Sequence, residues 1–259
     1  LVAVDVSGSG ARARERPPLR FAPIQQLRAH EYVAEQVQRH IALRLIGPGE
    51  SLPSERELAA TFGVGRPTVQ HALRLLEADR LVETRRGRNG GTFVAAPTSD
   101  SSALDDLMGR VLRQRPELEE VLTYRRVLEP RVAREAARIR RREDLAAMSK
   151  AIEAMSRVSS EPDYMRHDTE FHLSIAQATR NRFLICSIED VRLRLNDAMS
   201  LLPESDTWHR RLSGEHEAIL GAIRSREAEA AEQAMDLHVA ASELSVRALL
   251  SAISRRLQS

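Results

Sequence analysis

Apolar residues return every fourth position at Val33, Val37, Ile41 and Leu45, which places them on one stripe and predicts a first helix running to the break at Gly47, Pro48 and Gly49. Ser54 and Glu57 form a capping-box pair ahead of Leu58 and Phe62, so a short second helix is expected there, stopped by Gly63, Val64 and Gly65. Val69, Ala72, Leu73 and Leu76 share one face of a third helix, with Pro67 in the first turn, where its missing N–H costs nothing. Two short runs, 81–83 and 92–95, read as strands that bracket a basic, glycine-rich tip from Arg85 to Gly91.

Two helices joined by a tight glycine turn and followed by a β-hairpin have the order of a winged helix-turn-helix. From residue 103 onward only helical periodicity is found, in segments 103–113, 116–141, 143–157, 161–178, 182–202, 206–224 and 227–257. The fold class expected is therefore mainly α: an N-terminal winged helix-turn-helix with a small β-hairpin wing, then a C-terminal all-α bundle of six or seven helices. Residues 1–22 carry Gly8, Gly10, Pro17 and Pro18 without an apolar period and read as a disordered arm. The DNA-binding domain is expected over 23–95, a Ser-, Pro- and Thr-rich linker over 96–102, and the helical domain over 103–259.

A length of 259 residues accommodates these two domains. A net charge of +2 conceals an asymmetry: residues 1–95 hold 14 basic against 10 acidic side chains, the remainder 25 against 27. The excess lies where phosphates would be met. Cys186 is the only cysteine, which excludes an intrachain disulfide and a cysteine zinc knuckle. No run of about 18 apolar residues and no signal-peptide core is found, so a soluble, cytoplasmic protein with no membrane partner is expected.

The outward face of the third helix holds Arg66, Thr68, Gln70, His71 and Arg74. Arginine forks onto guanine, glutamine pairs with adenine, and threonine holds phosphate, so this face suits a major groove. At the wing, Arg86 and Arg88 beside Gly87 allow close approach of the backbone to a groove.

Asp168 and His172, four apart, emerge from one helix face. His216 and His238 lie on the last two helices, equidistant from residue 227 between them. Eleven residues each way is close to three turns, so an antiparallel hairpin brings both to one height. Three imidazoles and a carboxylate suit a divalent transition metal: zinc, nickel, manganese or iron. Arg125 shares the apolar stripe of Leu118, Val121, Leu122 and Val132, and its buried charge needs an anion. Two answers stand: a small carboxylate effector, or Glu129 at i+4. Asn181 reads as a helix N-cap, and Trp208, eight residues before His216, as a fluorescent reporter of the site.

The segment "GESLPSERELAATFGVGRPTVQHALRLLEADRLVETRRGRNGGTFV" resembles the winged helix-turn-helix of the GntR family of bacterial transcription regulators. That resemblance implies DNA contacts from Arg56, Arg66, Thr68, Arg86 and Gly87. Two positions depart from the family pattern: Gln70 stands where a second arginine is usual, and Gly65 where Ser or Thr is usual. "YRRVLEPRVAREAA", "DTEFHLSIAQATRN", "EHEAILGAI" and "AMDLH" resemble the effector-binding domain of the FadR subfamily. This second resemblance implies Asp168, His172, His216 and His238 as metal ligands.

The expected function is a homodimeric, sequence-specific regulator, repressor or activator, that binds a palindromic operator in double-stranded DNA. Its affinity would be set by a small carboxylate at the metal site. Two rivals are a metal-dependent hydrolase, for which no general base is evident, and an architectural DNA-binding protein without an effector.

Overall fold

The computed structural model describes residues 28–87, 90–96, 101–157, 161–202 and 206–256. The expected arm, Arg88, most of the linker and the side chain of Trp208 lie outside the described residues.

The first unit comprises α1 (Ala29–Ala42), α2 (Glu55–Phe62), α3 (Arg66–Ala78), β1 (Val82–Arg85) and β2 (Gly91–Val94). Its core is Val33, Val37, Leu58, Val69, Leu73, Leu76, Val82 and Val94. The capping box forms as the sequence indicates: Ser54 Oγ accepts from the Glu57 N–H and the Glu57 carboxylate accepts from the Ser54 N–H at 2.8 Å. Gly63 ends α2 at φ 64°, a left-handed conformation that costs glycine nothing. Gly65 precedes α3 and offers no side-chain cap, while Pro67 sits in the first turn.

The first helix ends at Ala42, short of the expected break, because Arg44 turns to φ 60° and the Leu45 N–H returns to the His40 carbonyl at 3.0 Å. Leu45 thereby leaves the stripe it seemed to complete. It packs on the core of the C-terminal unit, whereas Ile41 and Ile46 stay with the N-terminal one.

The hairpin pairs Val82 with Val94 and Arg85 with Gly91. The α1–α2 connection adds a short third piece: Ser51 bridges Phe93, the Leu52 N–H donates to Thr92 at 2.8 Å, and the Val94 N–H donates to Glu50 at 2.9 Å. Buried Leu52 anchors it.

Seven helices follow: α4 (Ser101–Arg113), α5 (Arg115–Ile139), α6 (Arg142–Arg157), α7 (Glu161–Ala178), α8 (Arg182–Met199), α9 (Asp206–Ser225) and α10 (Ala228–Arg256). The all-α class and the wing are as expected; α4 begins at Ser101, so the last two residues of the expected 96–102 linker are helical. α5 is central and packs against α7, α8, α9 and α10. Leu118, Leu122, Phe171, Ile175, Leu195, Ile219 and Val239 fill the space between them. Asn181 caps α8, its side chain accepting from the Phe183 N–H at 3.0 Å. No helix of the described residues is long and apolar enough to cross a membrane.

The units are tied by polar side chains as well as by Leu45. Arg39 of α1 pairs with Glu189 at 3.0 Å and Asp190 at 2.8 Å on α8. Arg166 of α7 reaches Glu50 at 2.8 Å.

Candidate metal centre and nucleic-acid interface

The turn at Arg226, φ 60°, folds α9 back on α10 and brings the rings of His216 and His238 to 4.7 Å between centroids. α7 supplies Asp168 and His172 one turn apart. All four side chains are buried, and one ligand atom from each lies within 4.8 Å of the others. His216 Nε2 is 3.2 Å and His172 Nε2 3.8 Å from Asp168 Oδ1, and the Nε2 atoms of His172 and His238 face each other at 3.3 Å.

The supporting groups decide what those nitrogens offer. His172 Nδ1 is 2.7 Å from Glu129 Oε2, and His238 Nδ1 is 2.9 Å from Glu215 Oε2. An ionised carboxylate only accepts, so the His238 ring carries its proton on Nδ1 and presents a lone pair at Nε2; Glu129, close to His172 Nδ1 though not aligned as a hydrogen bond, favours the same tautomer there. Two lone pairs and a carboxylate oxygen directed at one another repel unless a positive centre lies among them. His216 Nε2, buried without a well-aligned hydrogen-bond partner, belongs to the same group. The cluster could hold a metal ion, and the donor chemistry fits one.

Charges are arranged to keep the ligands in their metal-binding forms. Burial pushes His172 below the ordinary imidazole value despite the opposing pull of Glu129. Burial, then the neighbouring rings of His216 and His172, push His238 well below it. For Asp168 burial acts upward, but the Arg192 guanidinium and the His216 and His172 rings outweigh it and hold the carboxyl well below its usual range. Arg192 Nη2 donates to Asp168 Oδ2 at 2.6 Å and to Thr169 Oγ1 at 3.0 Å.

Arg125 is fully buried as its stripe requires, and the Glu129 partner expected at i+4 is present. It pairs with Glu129 and donates to Ser242 Oγ at 2.8 Å, yet its Nη2 has no hydrogen-bond partner among the described residues. Arg192 is in the same condition: buried, paired, with Nη1 unpartnered. Sequence reasoning missed Arg192, although the signal that singled out Arg125 was present. Arg192 lies on the stripe of Ile188, Leu195 and Met199 of α8. Glu215 carried no such signal.

On the N-terminal unit, Arg56, Arg66, His71, Arg86 and Gly87 are exposed, and Thr68 and Gln70 half-buried. Gly87 adopts φ 113° at the wing. The ring of His71 stacks on that of His30 at 3.9 Å, so α1 covers one side of it. Gln70, Arg74, Thr84, Arg86 and Thr92 line a cleft of about 440 Å³ between α3 and the wing.

Residues 29–94 match the family described as bacterial regulatory proteins, gntR family, and residues 120–241 match the FCD domain. The HTH-type transcriptional repressor NanR of Salmonella schwarzengrund (strain CVM19633) is 30% identical over 226 residues, 85% of each chain. The chain belongs to the GntR family. NanR of Klebsiella aerogenes is likewise 30% identical, over 89% of this chain and 90% of its own length. Among solved structures, a Streptococcus agalactiae GntR protein is 25% identical over 83% of this chain and 99% of its own, with a TM-score of 0.45. This GntR-family chain is thus a DNA-binding transcriptional regulator with an effector-binding FCD domain, and not an enzyme.

Proposed function

We propose that this GntR-family chain is a homodimeric repressor of a palindromic operator. Its operator affinity is set by a small carboxylate seated at a divalent metal held by Asp168, His172, His216 and His238. The observation that carries the reading is the pair of Nε2 atoms, of His172 and His238, that face each other beside Asp168 with a carboxylate behind each ring. Three imidazoles and one carboxylate oxygen suit zinc, nickel, manganese or iron, and such an ion supplies positive charge for an anionic ligand. Arg125 Nη2 and Arg192 Nη1 support the carboxylate, because a buried cationic N–H without an acceptor is costly and a carboxylate supplies acceptors in pairs.

The repressor sense follows the NanR relatives, which are named transcriptional repressors. Residues 23–95 then form the DNA-binding domain and those from α4 onward the effector domain. Arg56, Arg66, Thr68, Gln70, His71, Arg86 and Gly87 meet the DNA, two copies at a time, since operator symmetry mirrors the two-fold of a dimer. The protein acts in the cytoplasm, where the chromosome is.

The test is metal content of the purified protein and of His216→Ala and His238→Ala, followed by operator binding by fluorescence anisotropy across a panel of small carboxylic acids. One metal per chain, lost in both variants, together with an acid that shifts affinity in wild type but not in Arg125→Met, is the expected result. No metal after reconstitution with each of the four ions, or no effect of any acid, sinks it.

A further inference from the structure

We infer that Glu55, on α2 and outside the recognition helix, determines base preference by fixing the amide orientation of Gln70. This rests on the reading of α3 as the helix that enters the major groove.

Gln70 Nε2 donates to Glu55 Oε2 at 2.9 Å, and Arg66 Nη2 lies 3.4 Å from the same oxygen. A glutamine amide by itself is ambiguous: rotated by half a turn about its last bond, it exchanges a donor for an acceptor. Beside a carboxylate the ambiguity ends, because a carboxylate oxygen can only accept and the amide oxygen would be repelled. The nitrogen of Gln70 is therefore pinned to Glu55, and its oxygen is the end left to meet a base. Glu55 holds its place as the first residue of α2, behind the Ser54 cap, where the helix dipole favours a negative charge.

The base chemistry follows. In the major groove adenine N6 and cytosine N4 donate, whereas guanine O6 and N7 only accept. An oxygen-forward Gln70 selects an amino group and is repelled by guanine. Adenine is favoured over cytosine because its N7 accepts the remaining amide hydrogen. An arginine at this position would favour guanine, so the residue that departs from the family pattern and the carboxylate beside it act as one unit. Glu55 also places a negative charge next to Arg66 at the face that meets phosphates. It therefore lowers affinity for any DNA while sharpening the choice at one base pair.

The experiment is selection of binding sites from a random duplex library by the full-length protein, wild type against Glu55→Gln, Glu55→Ala and Gln70→Ala, with a thermal melt of each. Wild type should prefer adenine to guanine on the order of tenfold at one position in each half-site. Glu55→Gln can face either end of the Gln70 amide, so that preference should collapse to about twofold or less while the other positions hold and random-sequence affinity rises. Glu55→Ala, with an unchanged melt, should behave alike. If both Glu55 variants retain the wild-type preference, or Gln70→Ala alters no position, the inference is overturned while the DNA-reading assignment stands. If wild type enriches no sequence at all, the assignment of α3 falls, and the inference with it.

Discussion

Asn196 of α8 donates from Nδ2 to the carbonyl oxygen of Ala42 at 3.3 Å, joining the FCD domain to the last residue of α1. The last carbonyls of a helix have no intrahelical donor, so this side chain completes an end that the chain cannot complete locally. Behind Asn196 the contacts continue inward: Thr169 Oγ1 lies 3.4 Å from Asn196 Oδ1, Arg192 Nη2 donates to Thr169 at 3.0 Å, and the same nitrogen donates to Asp168 at 2.6 Å. All four of these residues are buried. A ligand of the candidate metal centre is thus four contacts from the DNA-binding unit. Asn196→Ala should leave metal content unchanged and cost about 1–2 kcal/mol of stability. The ratio of operator affinities with and without metal should fall toward one. Anisotropy titrations in metal and in chelator measure that ratio, and an unaltered ratio removes Asn196 from the coupling.

Glu129 serves two buried partners, Arg125 and His172, and loss of either charge of a buried pair strands the other. Glu129→Ala should therefore destabilise the protein by about 3–5 kcal/mol in urea unfolding. Glu232→Ala is the control: it breaks pairs with Arg131 at 2.9 Å and Arg134 at 2.7 Å near the surface, where solvent screens them, and should cost far less. Equal costs would mean that burial of the Arg125 pair contributes nothing.

The His172 and His238 rings are held below the ordinary imidazole value, burial being the main cause in each. Their folded values are depressed, so their contribution to stability is present in full above the unfolded value of about 6.5 and is lost as pH falls through the folded values. Metal affinity moves in the same direction, because protons compete with the ion for Nε2. Affinity measured with a fluorescent competitor should change little between pH 8 and about 6.5 and fall at lower pH. A steep loss already between pH 8 and 7 would contradict neutral, buried rings.

Gly87 stands at φ 113°, which side chains with a Cβ rarely adopt, and no neighbour among the described residues crowds the position. Gly87→Ala should then act through backbone strain alone, of about 1–2 kcal/mol, and reshape the wing tip. Operator affinity should drop by up to about tenfold while the melting temperature falls by only about 2–8 °C. Unchanged affinity would show that the wing backbone does not approach the groove.

Much of the protein is written in short-range pattern. The Ser54–Glu57 box, the stop at Gly63 and the Asn181 cap are chemistry between residues two or three apart, and each forms as the sequence indicates. The four-residue spacing of Asp168 and His172, and the equal distances of His216 and His238 from their turn, are consequences of helix geometry. These four were therefore legible as a group before any packing was known. What the sequence did not determine is which side chains reach across. Leu45 keeps the period of the first helix but crosses to the other core because Arg44 turns left-handed. His71 has the right face, yet only the approach of α1 lays His30 against it. Glu215, Arg192 and Asn196 acquire their roles from partners 23, 24 and 154 positions away. Periodicity tells which way a side chain leaves its own helix, and the relative placement of helices, set by the whole core at once, decides what it meets.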